Sequence, residues 1–184
     1  MAADLAAYEG NGLMHIEALT YIQNAAYRFY APTAKIDVVE FGGLDVNGGL
    51  RHLFPRAKSW TSVDIEPGPG VDLVADAADW IPPRRYDLVI CAEVFEHTNR
   101  WQKICITARV ACNQTGVFIA TAATNPRALH GAYDPDGTHG SRPDEYYQNV
   151  RAGELLERLR ETGFMYIDVT VDGNRGDVYA CARP

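Results

Sequence analysis

The stretch Ile36–Asp64, IDVVEFGGLDVNGGLRHLFPRAKSWTSVD, decides how the rest of the chain is read. Ile36, Val38 and Val39 form a short apolar run that Gly42 and Gly43 break. Gly48 and Gly49 break the chain again, and Leu50 to Leu53 resume at helical spacing. Strand, tight turn and helix are predicted in that order. A second run from Trp60 ends on Asp64, 22 positions after Gly42, close to the roughly 20 residues at which a βαβ unit presents an acid to a ribose.

The loop narrows the choice of ligand. Gly43 and Gly48 have the spacing of the outer glycines of a phosphate-binding P-loop, but Gly49 and Leu50 stand where its lysine and hydroxyl residue belong. Triphosphate binding is therefore not expected. The segment from Gly42 to Gly48 also lacks the G-x-G-x-x-G through which a backbone approaches a pyrophosphate at a helix N-terminus. Glu40 and Asp45 put two carboxylates at the mouth of this loop, where they repel a pyrophosphate and attract a cation. S-adenosylmethionine meets these conditions: it has a ribose for Asp64, no phosphate, and an ammonium and a sulfonium for the acids.

With these residues the chain resembles the class I S-adenosylmethionine-dependent methyltransferases, in their small type-11-like branch. The resemblance runs from about Ile36 to the C-terminus through VVEFGGLDVNGG, TSVDIEPGPGVD, ADAADW, YDLVICAEVFEH and the late ETGF. Leu44 and Val46 depart from it, standing where the family's loop has glycines. Gly48 and Gly49 with Asn47 read as a variant turn, since Gly and Asn tolerate positive φ. The resemblance implies a doubly wound, Rossmann-like α/β fold with a seven-stranded, mostly parallel sheet and an antiparallel last strand. It implies S-adenosyl-L-methionine as cofactor, bound along the loop by Glu40, Gly42, Gly43, Asp45 and Asn47, with Glu93 at the end of the central strand. Asp64 would take the ribose hydroxyls, Ile65 the face of the adenine, and Asp76 and the backbone of Ala77 its polar edge. Helix capping ahead of Trp80 competes for Asp76 and Asp79. Glu96-His97 matches the family's Glu-His pair, so that His97 is either a base, its ordinary pKa being about 6.5, or a residue that orients the following turn.

The chain has 184 residues, 47% of them hydrophobic and 22% charged, which fits one soluble domain over 1–184. A net charge of −7 offers no basic field for a phosphate backbone, so nucleic acid is a disfavoured substrate. Cys91 to Phe95 also lacks the Asn or Asp, Pro-Pro and aromatic residue expected where base amino groups are methylated. Cys91, Cys105, Cys112 and Cys181 form no C-x-x-C pair and read as reduced core residues. The N-terminus has no basic and apolar leader pattern, and no segment approaches a membrane span. A cytoplasmic protein is expected.

Residues 1–31 read as a helical cover, with Leu19, Ile22, Ala26 and Phe29 on one face of a helix over Leu13–Phe29. Strands are predicted at Val71–Ala75, Tyr86–Cys91 and Gly116–Thr121, and helices at Asn99–Ala111 and Arg151–Thr162, the latter stopped by Gly163. A hairpin of Phe164–Val171 and Val178–Arg183 completes seven strands. The long polar and aromatic segment 122–150 reads as a substrate lid. It contributes His130 and His139 as further candidate bases beside His97, and Tyr146 and Tyr147 among its stacking groups. Asp134-Pro135-Asp136-Gly137 matches only the start of a calcium loop, and with no defined ligand spacing no metal is assigned. The expected function is methyl transfer to an oxygen or nitrogen of a small polar molecule or glycan. The alternatives are cofactor binding without turnover and nucleic-acid methylation. A nicotinamide dehydrogenase is disfavoured by the loop, and the oligomeric state is left open.

Overall fold

The computed structural model describes residues 16–45, 48–128 and 146–184. Seven strands form one sheet in the order β3-β2-β1-β4-β5-β7-β6. They are β1 (Asp37–Phe41), β2 (Ser59–Asp64), β3 (Leu73–Val74), β4 (Tyr86–Ala92), β5 (Cys112–Ala123), β6 (Tyr166–Asp172) and β7 (Asp177–Arg183). β1 to β5 pair in parallel, and β7 enters between β5 and β6 antiparallel to both. The expected fold class is observed. Strand order runs outward from β1 through β2 to β3 and, on the other side, from β4 to β5, so the reversal falls between β1 and β4. In an open α/β sheet ligands bind at such a switch point, beyond the carboxyl ends of the strands.

Side-chain alternation splits the core in two. Val39, Phe41, Val89, Cys91, Phe118 and Ala120 face α2 (Trp101–Ala111) and α3 (Ala152–Glu161), meeting Ile104, Cys105, Ala108, Leu155 and Leu159. Val38, Leu88, Ile90, Val117 and Ile119 face the other way, onto Ile22, Ala25 and Ala26 of α1 (Ile16–Tyr27) and onto Leu50, Leu53 and Phe54. β4 is buried along almost its whole length, as a central strand covered on both faces should be. All four cysteines are buried thiols, and burial pushes up the pKa of each. Among the described residues no helix is long and apolar enough to cross a membrane.

Three local expectations are corrected. The helix after the first loop is only a 3-10 turn, Arg51–Leu53. Pro55 follows at once, and a proline has no N–H to donate and clashes with the carbonyl four residues back. Ahead of Trp80 the chain forms only a single turn, in which Asp79 and Trp80 both donate their N–H to the Asp76 carbonyl. β5 begins directly after α2 at Cys112 rather than at Gly116, with a register shift where it pairs Tyr86 and Leu88.

Candidate active site

The loop after β1 is pressed against its neighbours. Gly42 has φ +76 and donates its N–H to the Val63 carbonyl at 2.9 Å. A Cβ on Gly42 would lie 2.2 Å from Val94 Cγ2, and one on Gly43 would lie 2.5 Å from Ser62 Cβ. The glycines therefore let the chain pass between the tip of β2 and the turn after β4. Asp64, at the tip of β2, orders this passage: Oδ2 accepts the Leu44 N–H and Oδ1 the Glu66 N–H, each at 3.0 Å. Each oxygen keeps acceptor capacity for a further donor. Asp45 accepts the Gly48 N–H at 2.8 Å, and its own N–H goes to the Pro69 carbonyl, so the loops after β1 and β2 are tied together. Ile65 stands on this rim 67% exposed, an apolar face at the carboxyl edge of the sheet.

Two predicted cofactor residues already hold partners within the chain. Glu40 is not an open carboxylate at the loop mouth. It is 5% exposed, and its Oε2 accepts the Trp60 indole N–H at 2.9 Å and the Ser62 hydroxyl at 3.0 Å. Burial raises its pKa. Period-two alternation turns it inward, where it props β2 under the loop. Asp76 accepts the Ala78 N–H at 2.7 Å and an Arg100 guanidinium N–H at 2.5 Å, while Arg100 also reaches Asp79. Ala77 beside it is buried.

The tip of β4 carries the second half of the site. Glu93 has φ +53, a left-handed conformation that costs a non-glycine residue energy and marks a position held by its surroundings. Its N–H donates to the Thr121 carbonyl at 2.9 Å, and its Oε2 accepts Arg127 Nη1 at 2.8 Å. Arg127 also bonds Asp177, whose other oxygen accepts the Tyr179 hydroxyl at 2.9 Å. Glu96, 1% exposed, accepts the Ala123 N–H at 3.0 Å through Oε1. Burial first, and then the charge of Glu93, push its pKa up to about 8. His97 packs edge-on to Tyr147, with ring centroids 5.0 Å apart. The segment around Tyr147 is pinned here by bonds from Gln148 N–H to the Glu96 carbonyl, from Asn149 to the Arg127 carbonyl, and from Val150 N–H to the Ala123 carbonyl.

The described flanks of the expected lid, 122–128 and 146–150, thus meet at the end of β4 and β5. His130, His139 and Asn47 lie outside the described residues, as do Asp134 and Asp136. Among the described residues no three His, Cys, Asp or Glu side chains are grouped to hold a metal ion. Sequence reading missed Arg127 and Asp177. Their signals were a charged residue opening the apolar run Val178–Ala182, and a lone arginine just beyond the Gly116–Thr121 run.

No protein-family model matches the chain. Over 102 residues, half of this chain, it is 33% identical to a ubiquinone biosynthesis O-methyltransferase from Leptothrix cholodnii. The match spans about two-fifths of that protein's length, 41%. Among solved structures, a DhpI-SAM-HEP complex superposes with a TM-score of 0.66 at 20% identity, over 98% of this chain and 92% of that one. The 1,6-didemethyltoxoflavin-N1-methyltransferase of Burkholderia thailandensis superposes at 0.62 and 13% identity, over 97% and 80%. A S-adenosylmethionine-dependent methyltransferase from Clostridium acetobutylicum does so at 0.66 and 13%, over 98% and 94%. The chain has the fold of the S-adenosylmethionine-dependent methyltransferases.

Proposed function

We propose that this protein is an S-adenosylmethionine-dependent methyltransferase acting on an oxygen or nitrogen of a small polar molecule. The observation that carries the reading is the pairing, at the switch point of this fold, of an acid at the tip of β2 with a loop unsuited to phosphate. Asp64 sits at the tip of β2 with acceptor capacity to spare, whereas the loop leads into a 3-10 turn of three residues. A helix N-terminus that would attract a pyrophosphate is missing from Gly48 to Lys58. At Gly42 and Gly43, where a Cβ would meet Val94 and Ser62, the loop backbone is held tight against the tips of β2 and β4.

In this reading Gly42, Gly43 and Asp45 line the cofactor, Asp64 holds the ribose, Ile65 lies against the adenine, and Asp76 and the backbone N–H of Ala77 meet its polar edge. The bound cofactor supplies a methyl group on a positively charged sulfur. The chain's own contribution is placement. Glu93 and the turn to His97 project from the strand next to β1, so an acceptor there lies beside the cofactor. Aligned proximity of this kind supplies about 7–11 kcal/mol in favourable cases, so a strong base is optional. Proteins similar to this chain are named for both O- and N-methylation. A nicotinamide enzyme and a nucleic-acid methyltransferase are disfavoured by the loop and by the charge of −7.

Calorimetric titration with S-adenosylhomocysteine, with NAD and ATP in parallel, tests the reading. Selective binding of the first is expected. Folded protein that binds NAD or ATP instead, or none of the three, would overturn it.

A further inference from the structure

Beside the tip of β4, carboxylates outnumber the cation that serves them. Glu93, Glu96 and Asp177 are gathered around Arg127, whose guanidinium serves Glu93 Oε2 and Asp177. Asp177 is fully covered and its second oxygen is taken by Tyr179. Two oxygens are left, Glu93 Oε1 and Glu96 Oε2. Both are buried, and among the described residues neither has a hydrogen-bond partner. A buried acceptor left unmet costs free energy, and a buried carboxylate costs more, so a pair of them at one strand tip is explained by a donor that arrives from outside. After burial, the charge of Glu93 is the largest upward influence on Glu96, and the two acids stand three residues apart in the turn after β4. Glu93 is moreover held in its left-handed backbone, presenting the side chain at a fixed place.

Resting on the methyltransferase reading above, we propose that the acceptor is a primary or secondary amine, bound as its ammonium by Glu93 Oε1 and Glu96 Oε2 and methylated on that nitrogen. An alcohol brings one donor hydrogen and no charge. An ammonium brings two or three hydrogens, enough for both oxygens, and a positive charge to balance carboxylates that Arg127 alone does not neutralise. A depression lined by Glu17, Asp172 and Tyr179 touches this network through Tyr179, which is bonded to Asp177. The buried hydroxyl of Tyr21, also without a partner among the described residues, lies on its wall. The step balances as follows. The ammonium gives one proton to Glu96, the freed nitrogen pair forms the N–C bond, and the C–S bond breaks with its electrons left on sulfur. The positive charge passes from sulfur to the methylated nitrogen, and Glu96 returns its proton to water.

The test uses the full chain loaded with S-adenosylhomocysteine and three matched probe pairs: glucosamine and glucose, tyramine and 2-(4-hydroxyphenyl)ethanol, ethanolamine and ethylene glycol. Calorimetry reads binding, and labelled S-adenosylmethionine reads transfer at pH 8. Binding and transfer confined to amine members are expected, with Glu96→Gln lowering amine kcat/KM at least 100-fold while S-adenosylhomocysteine affinity stays within twofold. Transfer to the alcohols at equal or greater rates overturns the proposal. So does failure of every amine in protein that binds S-adenosylhomocysteine, or amine transfer that a chelator abolishes and magnesium restores. Loss of S-adenosylhomocysteine binding in the unmutated chain is the separate outcome that removes the methyltransferase reading, and this proposal with it.

Discussion

Replacing Arg127 by methionine tests whether the buried charge network holds the site together. Its side chain is 10% exposed and lies between Glu93, 19% exposed, and Asp177, fully covered. Methionine keeps much of the stem's packing but leaves Asp177 with only the Tyr179 hydroxyl among the described residues. Removing one partner of a buried ion pair costs about 3–5 kcal/mol, because the other charge stays behind without compensation. Glu93 retains some water and Asp177 one hydrogen bond, which places the loss near the lower end, about 3 kcal/mol. At roughly 2–4 °C per kcal/mol for a chain of this size, Tm should fall by about 6–12 °C. Urea denaturation and thermal melts followed by circular dichroism give both numbers. The double variant Arg127→Met, Asp177→Asn removes the orphaned charge and still offers Tyr179 an acceptor, so it should recover at least half the loss. A single-variant loss below about 1 kcal/mol, or strictly additive losses in the double variant, would refute the reasoning.

Other predictions follow from the same geometry. Asp64→Asn should weaken S-adenosylhomocysteine at least tenfold by calorimetry, since a hydrogen bond to a charged group contributes about 1.5–3 kcal/mol; an unchanged Kd in folded protein would count against the ribose assignment. Gly43→Ala forces a Cβ to 2.5 Å from Ser62 Cβ and should abolish cofactor binding, whereas Gly153→Ala meets nothing within 4 Å and should stabilise α3 by up to about 1 kcal/mol. Glu96 binds its proton more tightly in the folded chain, with a pKa of about 8 against an ordinary 4.5. Its contribution is therefore fully present below the ordinary value and is lost as pH rises to about 8. Glu96→Gln keeps the neutral form throughout, so its stability relative to the unmutated protein should rise between pH 5.5 and 8 by on the order of a few kcal/mol. Urea titrations whose difference does not change with pH would sink that assignment.

Much of the frame of the candidate site was legible because its signals are local. The glycines at 42 and 43, the acid closing β2, and the long apolar run of β4 each follow from a few adjacent residues, and their order implied a nucleotide-type sheet. Reading failed where an outcome depended on neighbours. The spacing of Leu50 to Leu53 is helical, yet Pro55 stops the turn after three residues. Glu40, two residues before Gly42, reads as an open acid at the loop mouth, but it is buried and Trp60 and Ser62, presented from β2, both donate to its Oε2.

By itself, then, the amino-acid sequence determined which segments become strands and which residue types gather at their carboxyl ends, because period-two burial and turn chemistry act over a few residues. Only the tertiary structure decided which charges meet. β7 inserts beside β5 and sets Asp177 opposite Ala123, bringing Asp177 to Arg127 across 50 positions of chain. The same packing covers Glu96 and leaves its Oε2 facing inward without a partner among the described residues. Burial and pairing are properties of the assembled interior, where removal from water makes each unmatched charge costly, and no local pattern in the chain records them.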